Sequence, residues 1–175
     1  MVSISTPRLV IRAFTLDDVA QIHETYAAPG AGSPLAPGGV SASIEDTRRI
    51  VERILETYEA WDGLGPWAVQ TREDRVVIGD CGLFRCDEPW ALGELEIAYR
   101  FRPASWGAGF ATEAARAVLA YAFEELRAPC VVADADAANR ASLRVLEKIG
   151  MRLVGRSGDP KHAVLYHAAD NPSHV

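Results

Sequence analysis

The sequence predicts an α+β fold: a mixed, mostly antiparallel sheet flanked by helices, with one parallel βαβ crossover. Three observations lead there. The elements read in the order βααβββαβαββ, with runs of strands broken by single helices. The strand-like run from Glu94 to Phe101 connects to a second, at Cys130 to Ala133, through an alanine-rich helical run, and such a crossover makes its two strands parallel. Apolar residues make up 49% of the chain, yet none of their runs approaches the ~20 residues needed to span a bilayer. With 175 residues and no composition break, one domain over residues 1–175 is expected.

In order, Leu9 to Phe14 alternates as an opening strand. Thr15 is placed as a helix N-cap, with Asp17 and Asp18 in the first turn of a helix reaching about Ala27. Residues 28–41, rich in Gly, Pro and Ala, read as a loop. Ser43 then caps a longer helix in which Ile50, Val51, Ile54, Leu55, Tyr58 and Trp61 recur at helical spacing, until Gly63-Leu64-Gly65-Pro66 breaks it. Trp67 to Thr71 and Val76 to Phe84 form an antiparallel hairpin around Arg72-Glu73-Asp74-Arg75. Asp87-Glu88-Pro89 is a loop before the strand at Glu94, and the helix after it runs to Leu126. A short helix ends at Gly150, a helix C′ position, and Leu153 to Arg156 and Ala163 to Ala168 close the sheet.

The junction between the Glu94 strand and the long helix carries the functional signal: Trp106-Gly107-Ala108-Gly109-Phe110-Ala111-Thr112-Glu113. Two glycines at a strand-to-helix turn let the backbone come close to a ligand. The helix start adds unpaired N–H groups and a positive dipole end, which suits a phosphate or pyrophosphate. Many turns with this pattern hold no ligand, so the turn alone leaves both readings open.

Composition narrows the partners. A net charge of −6 argues against nucleic acid, whose phosphates need a basic face, and suits a cationic amine. Cys81, Cys86 and Cys130 lack metal-ligand spacing and read as small apolar residues of a reducing cytoplasm. The four histidines are scattered, so no metal is expected; His162 and His167 should face opposite ways in a strand. Neither a signal peptide nor a membrane segment is expected.

Downstream, Asn139-Arg140-Ala141-Ser142 leads into Val145-Leu146-Glu147-Lys148-Ile149-Gly150-Met151. Together with the WGAGFATEA run and the N-terminal Thr6-Pro7-Arg8-Leu9-Val10-Ile11-Arg12, this resembles the GNAT superfamily of acetyl-CoA-dependent N-acetyltransferases. In particular it resembles the branch that acetylates the N-termini of ribosomal proteins. The resemblance covers most of the chain and is strongest from Glu94 to Met151. It implies that acetyl-CoA lays its pyrophosphate on the N–H groups of Gly107, Ala108, Gly109, Phe110, Ala111 and Thr112. It also implies that Asn139 contacts the pantetheine arm, and that this arm pairs with the backbone near Tyr99 to Arg102, including Phe101 and Arg102. Trp106 departs from the arginine or glutamine usual at its position. By the same analogy the 28–43 loop, the second helix and the Trp67 strand line the acceptor.

Acetyl transfer to an amine needs a neutral nitrogen, so an ammonium must lose a proton at neutral pH. Alternation puts Glu94 and Glu96 on one face of their strand, where each can raise the other's pKa. Glu96, which matches a family glutamate, is the candidate base; the alternative is a solvated sheet edge. The resemblance places Ser142 near the departing sulfur, though a serine there also serves as a local cap. Trp61, Trp67 and Trp90 read as core, with pocket-lining the alternative. Two rival functions stand beside amine acetylation. One is a non-catalytic acetyl-CoA-binding regulatory domain. The other is a Rossmann-type nucleotide-binding domain using Asp134 or Asp136, which fits worse because Thr112 stands where that fingerprint wants Gly or Ala. The acceptor amine and the oligomeric state are not legible in the sequence.

Overall fold

The computed structural model describes residues 2–28, 41–158 and 163–174. Eight strands form one sheet: β1 (Ser3–Ser5), β2 (Leu9–Arg12), β3 (Gly65–Thr71), β4 (Val77–Arg85), β5 (Leu95–Phe101), β6 (Cys130–Asp136), β7 (Arg152–Ser157) and β8 (Val164–Asp170). Four α-helices accompany it: α1 (Val19–Tyr26), α2 (Ile44–Ala60), α3 (Phe110–Glu124) and α4 (Arg140–Lys148). The spatial order is β1-β2-β3-β4-β5-β6-β8-β7, antiparallel throughout except for β5 and β6. The mixed sheet with its single βαβ crossover is therefore as the sequence predicts. Most of the 28–41 loop, and His162, lie outside the described residues.

Local chemistry explains the helices. At Thr15 the Asp18 carboxylate accepts the main-chain N–H at 2.8 Å, a capping contact that opens a short 3-10 turn before α1. Ser43 caps α2 by accepting the Asp46 N–H at 3.1 Å, and Asn139 caps α4 by accepting the Ser142 N–H at 3.1 Å. Gly150, at φ +89°, terminates α4 with its N–H on the Glu147 carbonyl and the Met151 N–H on that of Leu146.

The helices divide between the two faces of the sheet. Phe14, Val19, Ile22 and Tyr26 pack with Ile50, Val51 and Ile54 of α2 on one face. On the other, the small residues Ala114, Ala115 and Ala122 of α3 let that helix lie close on Ile97, Phe101 and Val131. Alternation then assigns β5: Leu95, Ile97, Tyr99 and Phe101 belong to the α3 face, while Glu96, Ala98 and Arg100 point the opposite way.

The parallel pair is short. Only Leu95↔Val131 and Glu96↔Val132 are in register. Beyond them β5 stays on β4 and β6 stays on β8, so the sheet parts toward the carboxyl ends of the two strands. α4 starts shortly after β6, and α3 is reached from β5 through a 3-10 turn (Pro103–Ser105) and the glycine turn, so each strand end at the opening leads to a helix N-terminus. Ligands of sheets with such crossovers bind at this kind of position.

Candidate active site

At the mouth of the opening, Gly107 and Gly109 adopt φ +77° and +82°, a region disfavoured for any side chain. Gly109 is the residue before α3, and the space beside Gly107 is open. Among the described residues, the N–H groups from Gly107 to Thr112 have no hydrogen-bond acceptor; the series resumes with the Glu113 N–H on the Gly109 carbonyl at 3.0 Å. Six main-chain donors at a helix start fit a pyrophosphate. Trp106 is 65% exposed and donates its indole N–H to the Phe101 carbonyl at 2.7 Å, tying the turn to the end of β5.

The turn is braced by a segment to which the sequence reading gave no role. Thr6 Oγ1 and the Arg8 main-chain N–H donate to one Glu113 oxygen at 2.6 and 2.9 Å, and Arg8 Nε donates to the other at 2.6 Å. Arg8 Nη1 donates to the Ala108 carbonyl at 2.9 Å, and the guanidinium lies over the Phe110 ring, 4.5 Å from its centre. Burial alone would raise the pKa of Glu113, but these donors hold it below the usual carboxylate value.

Two of the residues expected to contact the cofactor, Phe101 and Arg102, make hydrogen bonds within the chain. The Phe101 carbonyl is engaged by Trp106, and the Arg102 N–H donates to the Ile78 carbonyl at 3.0 Å. The Phe101 ring is buried in the core, and the Arg102 side chain bonds Ser105 Oγ and Glu24 at 3.2 Å each. Both residues hold the strand end and the turn in place.

Glu96 sits where the sheet parts, half-buried, on the face opposite α3. Its carboxyl is pushed up to about 7, first by burial, then by the charge of Asp134 and a hydrogen bond with it, then by Asp87 and Glu88. The opposing carboxylate is thus Asp134, on the neighbouring strand two residues beyond Glu96's register partner Val132, rather than Glu94. The sequence reading ended β6 at Ala133; the strand runs to Asp136 because Cys130 to Asp136 pair with β8 throughout. Alternation in Val132, Asp134 and Asp136 was the signal that could have placed Asp134 here.

On the α3 face, the Tyr99 hydroxyl donates to the Ser142 main-chain carbonyl at 3.1 Å, across the same opening. Burial raises the Tyr99 pKa, partly opposed by hydrogen bonding to Ser142. Ser142 is half-buried on the first turn of α4, next to its cap Asn139. Base and leaving-group candidates therefore lie on opposite sides of one gap.

Of the tryptophans, Trp67 is core as read: fully buried, edge-on to Tyr121 and bonded through its indole N–H to the Gly63 carbonyl at 3.0 Å. Trp61 is half-buried against the same core. Trp90 instead stacks on Tyr166, ring centres 4.4 Å apart, and Tyr166 is the cross-strand partner of Asp134. On the same face of β5 as Glu96, Arg100 is paired with Asp80 at 2.8 Å and lies over the Tyr26 ring. The cavity of about 500 Å³ lined by Arg116, Leu119, Phe123 and Asn171 lies behind the far end of α3 and takes no part in this arrangement. The three cysteines are free thiols, and no described helix is long and apolar enough to cross a membrane.

A helix-start turn with unpaired main-chain N–H groups thus stands beside a sheet that opens between its two parallel strands. Residues 8–152 match the acetyltransferase (GNAT) domain family. The uncharacterized N-acetyltransferase YnaD of Bacillus subtilis is 31% identical over 154 residues, covering 87% of this chain and 84% of that one. A GNAT-family acetyltransferase from Bacillus anthracis superposes with a TM-score of 0.79 at 28% identity, over 97% of this chain and 99% of that one. The fold is also that of RimL, a ribosomal L7/L12 alpha-N-protein acetyltransferase solved with coenzyme A: TM-score 0.77 at 17% identity, 97% and 98% covered. The chain belongs to the GNAT acetyltransferase family.

Proposed function

We propose that residues 1–175 act as one catalytic domain that moves an acetyl group from acetyl-CoA to a primary amine, a protein N-terminus or a small-molecule amine, by direct attack in a ternary complex. The observation that carries this reading is the parting of β5 and β6 just past Glu96, on the strand that leads into the glycine turn. Acetyl-CoA supplies an activated thioester. The N–H groups from Gly107 to Thr112, with the Thr112 hydroxyl, hold its pyrophosphate, and Asn139 meets the pantetheine arm. Glu96 takes a proton from the ammonium on the face opposite α3, leaving the nitrogen lone pair free to attack. Its raised pKa suits the task, because a base near 7 is ionised enough at neutral pH to accept that proton. From the α3 face, the Ser142 hydroxyl donates a hydrogen bond to the sulfur as the C–S bond breaks. Tyr99 pins the first turn of α4 against β5 and so fixes where Ser142 stands. With its three free cysteines, the protein is assigned to the cytoplasm.

Initial rates with both substrates varied test the ternary complex. Intersecting double-reciprocal lines support direct attack. Parallel lines mean an acetyl-enzyme, and refute it.

A further inference from the structure

Arg8 is placed to do more than brace the glycine turn. Its guanidinium has two of its three nitrogens committed, Nε to Glu113 at 2.6 Å and Nη1 to the Ala108 carbonyl at 2.9 Å. These bonds and the Phe110 ring beneath fix the plane of the group. The third nitrogen, Nη2, has no hydrogen-bond partner among the described residues. It lies 3.5 Å from the point that a Cβ on Gly109 would occupy, beside the unpaired N–H groups. The side chain is 48% exposed, so the free edge is reachable from solvent.

We propose that Arg8 is a direct ligand of the pyrophosphate of acetyl-CoA, with Glu113 as the residue that aims it. The proposal rests on the reading of the turn as the phosphate site. A carboxylate in the first turn of a helix competes with any incoming anion for the positive dipole end. Glu113 is in that position, and unpaired it would repel a phosphate. Its pairing with Arg8 and Thr6 cancels that charge. The pair is then a local dipole whose cationic side faces the turn. A guanidinium with one fixed edge and two free N–H bonds on Nη2 suits a phosphate oxygen, and the contact costs little further ordering.

The test compares wild type, Arg8→Met and Arg8→Lys, all checked for folding by thermal melting. The affinity for coenzyme A is measured by calorimetry, and kcat/KM is measured with acetyl-CoA and with S-acetylpantetheine, which has no phosphate. Arg8→Met is expected to weaken coenzyme A binding about ten- to a hundredfold, as for the loss of a charge-assisted bond. It should leave kcat/KM for S-acetylpantetheine within about twofold of wild type. Arg8→Lys keeps the charge without the planar edge and should fall between; if Arg8→Met does not fold, the same contrast is read on Arg8→Lys. Equal losses with both thioesters, unchanged coenzyme A affinity, or affinity restored to wild type in Arg8→Met/Glu113→Gln, which would mean that Arg8 acts only by neutralising Glu113, would each overturn the proposal. Wild type without affinity for coenzyme A would overturn the phosphate site itself, an outcome distinct from either.

Discussion

Replacing Asp134 by Asn should move the pH dependence of turnover without removing the base. Glu96 is held near 7 against an ordinary 4.5, with burial the largest cause and the Asp134 carboxylate the next. A base of that pKa is roughly one-tenth ionised at pH 6 and about nine-tenths at pH 8. The wild-type kcat/KM should therefore climb about tenfold over that interval, beyond the rise owed to the amine's own titration. Asn keeps a hydrogen-bonding group and removes the charge, so the limb should shift toward lower pH by on the order of one unit. At pH 6 that is a gain of several-fold relative to each enzyme's own plateau. The assay is release of free thiol from acetyl-CoA across pH 5.5–9 for wild type, Asp134→Asn and Glu96→Gln. The last variant should lose the limb, fall most at neutral pH, and recover toward the pKa of the amine. A limb that stays in Glu96→Gln would remove Glu96 as the base, and one that stays fixed in Asp134→Asn would leave burial, with Asp87 and Glu88, as the cause. Glu94→Gln, on the same face but one pleat back, should show neither effect.

Three further outcomes are expected. Gly109→Val should weaken coenzyme A binding severely, since φ +82° is strained for valine and its side chain would enter the cradle; unchanged affinity by calorimetry in a folded variant would remove the turn as the site. Ser142→Ala should lower kcat by on the order of ten- to a thousandfold with little change in cofactor affinity, and wild-type turnover would reduce Ser142 to a local cap. Because the folded protein binds the Glu96 proton more tightly than the unfolded chain, stability should decline as pH rises from about 4.5 through about 7. Glu96→Gln should remove that decline, so its melting temperature should exceed wild type at pH 8 and match it near pH 4; the same gap at both values would mean that charge at Glu96 is not the cause.

What was legible in the sequence was what local chemistry dictates. Capping at Thr15 and Ser43, the α2 periodicity, the glycine turn and the crossover all sit where residue type and spacing put them. The misses share one cause: they are set by contacts distant in sequence. Ser3–Ser5 is too short and polar to announce a strand, and it exists because it pairs with Val10–Arg12. Asp134-Ala135-Asp136 looks like a polar loop, yet β8 supplies the ladder that keeps it extended. Arg8 and Glu113, 105 positions apart, give no local hint that they meet. Alternation makes Glu94 the expected partner of Glu96 because both share a face, whereas the parallel register brings in Asp134 from the neighbouring strand.

The central claim is that this chain moves acetyl from acetyl-CoA to an amine through the opening between β5 and β6. Its most direct test is to incubate the purified protein with acetyl-CoA and a panel of peptides with free N-termini, polyamines and aminoglycosides, following free thiol and the mass of each amine. The account predicts thiol release that depends on a particular class of amine and matches its acetylation one for one, and that collapses in Glu96→Gln at pH 7. Coenzyme A binding without amine-dependent thiol release from any of these acceptors would contradict it, and would leave a protein that holds the cofactor without using it.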